Sequence, residues 1–200
     1  MRIIGVTGPT GSGKTLLTEY FASLNITTIN ADELYHSMLV PPSACLDAIR
    51  ENFGDEVFSE DGELSREKLG RIVFNDKEKL DLLNDTVLGI VLDEIRRQIA
   101  ILEKSENDFL IIDAPTLIES GFHRECDTVI SVIAPKDERI KRISLRDNIP
   151  FERATERVRA QKEDSFYIEN SHEVIYNDST ESDFIFKIKE TAKKILKNLI

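Results

Sequence analysis

Positive charge is what this 200-residue chain has least of: 26 Lys and Arg stand against 37 Asp and Glu, a formal net charge of −11. Non-specific binding to nucleic acid or to an anionic membrane needs a positive field over the contacting face, so neither partner is expected, and a polyanionic ligand must meet a local basic patch. Cysteine is scarce as well. Cys45 and Cys126 fit neither a metal-ligand spacing nor a dense disulfide scaffold, and are expected as reduced, partly buried thiols. No apolar run is long enough to span a bilayer, and Met1-Arg2-Ile3-Ile4-Gly5-Val6 meets a glycine-rich turn too soon for a signal peptide, so a soluble, cytoplasmic protein is expected. Internal repeats and low-complexity linkers are missing too. So is an Asn-Lys-x-Asp segment, which disfavours a guanine-nucleotide hydrolase.

What is present suffices for one good-sized core: with 40% hydrophobic residues, a single α/β unit carrying small inserted subdomains is the expected scale. Short β-branched or apolar runs at 3–6, 26–29, 109–112, 128–134 and 173–176 read as five strands. Between them lie helical patterns: Leu16, Leu17, Tyr20, Phe21 and Leu24 after the first strand, and a mainly helical stretch from Ser43 to Lys104. An arginine-rich pair broken at Asn148-Ile149-Pro150 follows, and a last helix runs from Thr180 to Leu199. Pro41-Pro42 is expected to end the helix after the second strand. Strands alternating with helices imply right-handed crossovers and a mostly parallel sheet whose ligands bind at the carboxyl ends of its strands.

One motif falls at such an end. Gly8-Pro9-Thr10-Gly11-Ser12-Gly13-Lys14-Thr15 satisfies G-x-x-x-x-G-K-[ST] between a strand and a helix, the phosphate-binding P-loop. Its glycines let successive N–H groups turn inward towards phosphate oxygens, and the following helix adds the positive end of its dipole. Gly8, Gly11, Ser12, Gly13, Lys14, Thr15 and Leu16 are therefore the expected ATP-binding set, with Lys14 reaching the β and γ phosphates. Thr15 would place its hydroxyl on Mg²⁺, and Asp113, ending an apolar strand, is the second metal candidate; its alternative is a helix cap.

Transfer of a phosphoryl group to a hydroxyl needs a carboxylate to orient the acceptor and take its proton. Asp32, just after the second strand, is the candidate, with an N-cap of the next helix as its alternative. His36, four residues on, shares its helical face and is a weaker candidate, while His123 and His172 show no partner spacing. Arg139, Arg142 and Arg146 recur at i, i+3 and i+7, and Arg153, Arg157 and Gln161 at i, i+4 and i+8. Such a cluster suits a lid that brings positive charge to a transferring phosphoryl group, and it is the basic patch an acidic chain must supply. The plainer reading is a solvated face stitched by pairs such as Glu138 with Arg142. For Arg142, Arg146 and Arg157 the functional reading is preferred; for Arg139, Arg153 and Arg159 both remain open. Asp61-Gly62 lacks the neighbouring ligands of a calcium loop.

Along nearly its whole length the sequence resembles the dephospho-coenzyme A kinase family. Beyond the phosphate loop, the resemblance is carried by Asn30-Ala31-Asp32-Glu33-Leu34, Asn52-Phe53-Gly54, Lys68-Leu69-Gly70-Arg71-Ile72-Val73-Phe74, Asp113-Ala114-Pro115, Leu117 and Glu119-Ser120-Gly121. It continues through Arg142, Arg146-Asp147, Arg157, Gln161 and Val174-Ile175-Tyr176-Asn177. It implies a P-loop kinase in three parts: a core (1–33, 108–137 and 169–200), a helical acceptor-binding insert (34–107) and an arginine-rich lid (138–168). It implies as well the reaction of ATP with 3′-dephospho-coenzyme A, with Asp32 as general base, Lys14, Arg142 and Arg146 stabilising transferring charge, Arg142 and Arg157 on the nucleotide, and Asn177 near the adenine. The chain departs from the family's usual pattern at Asn30, where an aspartate is common, at Leu88-Gly89, where His-Pro is common, and at Thr116. Oligomeric state is left open.

Overall fold

The computed structural model describes residues 1–73, 76–104 and 108–197. Along the chain run β1 (Arg2–Thr7), α1 (Lys14–Ser23), β2 (Thr27–Asn30), α2 (Ala31–Ser37), α3 (Ala44–Phe53), α4 (Arg66–Val73) and α5 (Lys77–Leu102). They are followed by β3 (Phe109–Asp113), β4 (Thr128–Ile133), α6 (Lys136–Asp147), α7 (Phe151–Arg159), α8 (Asp164–Glu169), β5 (Glu173–Tyr176) and α9 (Glu181–Lys197). They form two compact units, Met1–Ile29 with Glu106–Ile200, and Asn30–Ser105. Residues 138–168 belong to the first, and Asp32 to the second.

The first unit is a five-stranded parallel sheet in the order β2-β3-β1-β4-β5. Strands buried on both faces are mostly apolar, which is why Leu110, Ile111 and Ile112 run unbroken and Val129, Ile130 and Val132 are interrupted only by Ser131, all of them wholly buried. On one face β1 and β4 pack against Leu17 and Phe21 of α1 and Phe184, Ile188, Ala192 and Ile195 of α9. Each fully buried side chain of this size contributes roughly 1.5–3 kcal/mol by removal from water. Because β1 lies between β3 and β4, the register sets Val6 beside Asp113 and Thr7 beside Ser131, so both neighbours flank the point where the chain leaves β1.

Two features of this unit are not legible in the periodicity. The six-residue α8 buries Tyr167, 2% exposed, beside the half-buried Phe166. His172, which had no partner by spacing, pins the start of the β4–β5 ladder: its Nδ1 accepts the Val129 N–H at 3.0 Å, and its own N–H donates to Val129 O at 2.9 Å.

The helical unit has its own apolar cluster, centred on Cys45, Leu46, Ile49, Phe53, Val57, Phe58, Leu69 and Val73. Its helices start at side-chain caps: Asn30 accepts from the N–H groups of Asp32 and Glu33, Ser43 from Cys45 and Leu46, and Asp76 from Lys79. α2 closes at Ser37, short of the Pro41-Pro42 stop expected from the sequence, its last turn tightened as Met38 and Leu39 donate to Tyr35 O and His36 O. Phe74 and the expected helix end at Leu199 lie outside the described residues.

Candidate active site

From the end of β1 the chain makes the phosphate loop with three glycines at positive φ: Gly8 at 134°, Gly11 at 79° and Gly13 at 108°. Close packing adds to the demand for glycine. A Cβ on Gly8 would stand 2.3 Å from Val132 O, and one on Gly13 would stand 2.6 Å from the Asn177 amide nitrogen. Gly13 opens α1 without a side-chain cap, so no side chain competes for the first-turn N–H groups that an anion would occupy. Lys14 Nζ folds back onto the loop, donating to Gly8 O at 2.7 Å and Pro9 O at 3.3 Å. Thr15 is exposed, and Leu16 packs partly buried against the main core.

The loop is gripped from beneath by polar side chains. Asn177, following β5 and 7% exposed, donates its amide to Ser12 O at 2.8 Å. Arg142 directs one guanidinium nitrogen at Gly11 O (3.2 Å) and Ser12 O (3.4 Å), and the other at Asn177 Oδ1 (3.4 Å). Glu138 pairs with Lys141 at 2.7 Å, so Arg142 is not spent on the surface pair that the plainer reading required. The three arginines on one helix thus do different work. Arg139 is 1% exposed and bonds to Thr10 O, Gln161 and Asp164. Arg146 and Arg157 are exposed and share the carboxylate of Asp147, which Arg146 above all holds below the usual range for an aspartate. Arg153 pairs with Glu156 at 3.4 Å.

Asp113 ends β3 at 8% exposure, beside Val6. The segment after it is a run of turns leading to a short 3₁₀ helix at Phe122–Glu125, so there is no α-helix for it to cap and that alternative falls away. Asp32 loses its capping alternative as well, because Asn30 performs that task and leaves the Asp32 carboxylate exposed in the first turn of α2. Asn30, where the family commonly has an aspartate, is the N-cap of α2, a task either side chain performs. His36 is exposed, one helical turn beyond Asp32, with its ring 5.6 Å from that of Tyr35.

Within the helical unit, Tyr35, His36, Leu39, Leu64, Arg66 and Leu69 line part of a mainly apolar cavity of 190 Å³. Among the described residues no three His, Cys, Asp or Glu side chains converge as a metal cage. The hydroxyl and carboxylate of Thr15 and Asp113 are the oxygen donors a hard cation prefers, and a partial set suits an ion that keeps its waters and takes phosphate ligands.

A model of the family described as dephospho-CoA kinase matches residues 2–183. The chain belongs to the dephospho-CoA kinase family. A dephospho-CoA kinase from Bacillus cereus is 35% identical over 98% of this chain and 96% of its own length, and one from Idiomarina loihiensis is 33% identical over 89% and 87%. The solved dephospho-CoA kinase from Campylobacter jejuni superposes with a TM-score of 0.74 at 27% identity, covering all of both chains. The activity is that of a dephospho-CoA kinase: ATP-dependent phosphorylation of the 3′-hydroxyl of dephospho-CoA, the final step of CoA biosynthesis. The family uses ATP as donor, generally with Mg²⁺. Among the described residues no helix of the enzyme is long and apolar enough to cross a membrane.

Sequence reasoning missed Thr10 as an anchor and left Arg139 undecided. The i, i+4, i+8 spacing puts Gln161 on a continued helical face, yet α7 ends at Arg159 and the side chain reaches Thr10 from beyond the helix. The one signal available was a charged residue at a position of α6 adjoining Ile140 and Ile143, where burial was foreseeable and its partners were not.

Proposed function

We propose that the phosphate loop and Arg142 hold the triphosphate of ATP, that Asp32 is the general base for the acceptor, and that the helical unit receives dephospho-CoA. The observation that carries the donor half is Arg142, whose guanidinium rests on the carbonyls of Gly11 and Ser12 beside an uncapped helix start. In this reading Lys14 exchanges its bonds with Gly8 O and Pro9 O for the β and γ phosphates. Gly8, Gly11, Ser12, Gly13, Lys14, Thr15 and Leu16 supply the cradle. Arg146 and Arg157 share one carboxylate between two five-donor guanidinium groups, so each retains N–H groups for phosphate oxygens. Asn177, near the adenine by resemblance, serves the donor through the Ser12 carbonyl it fastens.

Asp32 accepts the proton of the 3′-hydroxyl as that oxygen bonds to the γ-phosphorus and the bond to the leaving ADP oxygen breaks. Lys14, Arg142 and Arg146 stabilise the charge on the transferring group. Thr15, with Asp113 directly or through water, would hold Mg²⁺, which when bound neutralises and orients the phosphate oxygens. For the acceptor, the apolar cavity of the helical unit, bordered by Arg66, offers a place for an apolar portion with an anion nearby.

The test is to incubate the purified protein with Mg-ATP and 3′-dephospho-CoA, alongside nucleoside, nucleotide and pantetheine acceptors, and follow acceptor mass. Formation of CoA alone is expected. Phosphorylation of a different acceptor would remove the acceptor assignment, and ATP binding without transfer to any acceptor would remove the catalytic one.

A further inference from the structure

Deep burial of a charged side chain is costly unless its hydrogen bonds are met, and Arg139 is the largest fully buried side chain described. Its three nitrogens have separate partners: Nε donates to Thr10 O at 3.2 Å, one terminal nitrogen to Gln161 Oε1 at 2.8 Å, and the other to Asp164 Oδ1 at 3.3 Å. Gln161 closes the circuit. Its Oε1 also accepts the Thr10 N–H at 3.2 Å, and its Nε2 donates to Thr10 Oγ1 at 2.8 Å. The N–H, carbonyl and hydroxyl of Thr10, the residue before the loop's middle glycine, are thus all bonded. The backbone of Arg139 also presses on the neighbouring residue, since a Cβ on Gly11 would lie 2.9 Å from Arg139 O.

We infer that Arg139 and Gln161 are positioning residues for the donor: through Thr10 they set the phosphate loop in its anion-binding shape before nucleotide arrives. Neither needs to touch ATP. An unbraced loop must be ordered at the expense of nucleotide binding, so loss of the brace reduces affinity for the donor and leaves the acceptor alone. Burial draws the Arg139 guanidinium below its ordinary value while Asp164 opposes this, and an arginine stays charged under either influence. The same guanidinium ties the loop to Gln161, between α7 and α8, and to Asp164, which opens α8, so the joint that follows α7 is held to the phosphate loop.

The inference rests on the donor site proposed above, and the unsubstituted enzyme, once its transfer is measured, is the reference. Gln161 is only half-buried, so Gln161→Ala should fold. It should raise KM for ATP about tenfold, the scale of two or three lost hydrogen bonds, with KM for dephospho-CoA within about twofold. Gln161→Glu keeps an acceptor for Thr10 N–H and Arg139, and the Thr10 hydroxyl can turn to donate, so it should restore KM for ATP to within about threefold. Arg139→Lys should fall between them. A merely structural brace would lower thermal stability without separating the two KM values. Equal changes in both KM values, or no change in KM for ATP in Gln161→Ala at a temperature where it is folded, would overturn the inference. So would failure of Gln161→Glu to rescue.

Discussion

The two units differ in what they bury. Every polar or charged side chain classed as buried among the described residues, namely Thr7, Ser12, Thr18, Asp113, Ser131, Arg139 and Asn177, belongs to the sheet unit, whereas the buried cluster of the helical unit is apolar apart from the Cys45 thiol. Buried polar groups cost free energy unless geometry is right, so where they accumulate they specify one arrangement. An apolar cluster tolerates exchange of side chains of similar volume. The sheet unit therefore holds a phosphate loop to a fixed shape, and the helical unit offers a cavity defined mainly by form.

That contrast can be broken by experiment. The largest effect should come from the exposed carboxylate of the helical unit: Asp32→Asn should lower transfer by about 10²–10⁴-fold with ATP binding retained, as loss of a general base does. Transfer at the normal rate would remove Asp32 from the chemistry. Ile49→Ala, at a wholly buried site in the helical cluster, should cost about 2–5 kcal/mol in denaturant unfolding. At a temperature where it is folded, it should raise KM for dephospho-CoA more than KM for ATP. The opposite split would end the division of labour between the units. Gly13→Ala tests the other side: with φ at 108° and Asn177 in the way, it should cost roughly 1–3 kcal/mol and weaken ATP binding.

A smaller effect concerns pH. Burial pushes the Cys126 thiol up to about 12, with Glu125 and Asp127 adding to it. A raised acid is protonated in the fold and ionises first in the unfolded chain, so its contribution is complete below the unfolded value near 9 and declines as pH climbs from there towards 12. Urea midpoints of wild type and Cys126→Ala should diverge from their neutral-pH difference above pH 9, on the order of 1 kcal/mol per pH unit at most. A constant difference between pH 7 and 10.5 would contradict this. Smallest of all, Asp147→Asn should change stability by under about 1 kcal/mol, because the carboxylate serves two exposed arginines. The wild-type contribution is present at neutral pH and lost as pH falls through the depressed titration of Asp147, so the two proteins should converge in acid.

The sequence by itself determined the five strands, the phosphate loop and the family. Those rest on local rules: apolar runs for strands buried on both faces, glycines where φ is positive, and a helix start left free for an anion. Its spacing also singled out Arg142, whose guanidinium lies on the Gly11 and Ser12 carbonyls. Which arginine does which task was decided only by tertiary structure. Arg139, Arg142 and Arg146 share one helical spacing, yet one is buried against Thr10, one rests on the loop carbonyls and one pairs with Asp147. Asn177 on Ser12, Gln161 on Thr10 and His172 on Val129 are joined across 165, 151 and 43 residues. Periodicity reports which side of an element faces inward; the partner waiting there is supplied by the folding of distant segments onto the same sheet.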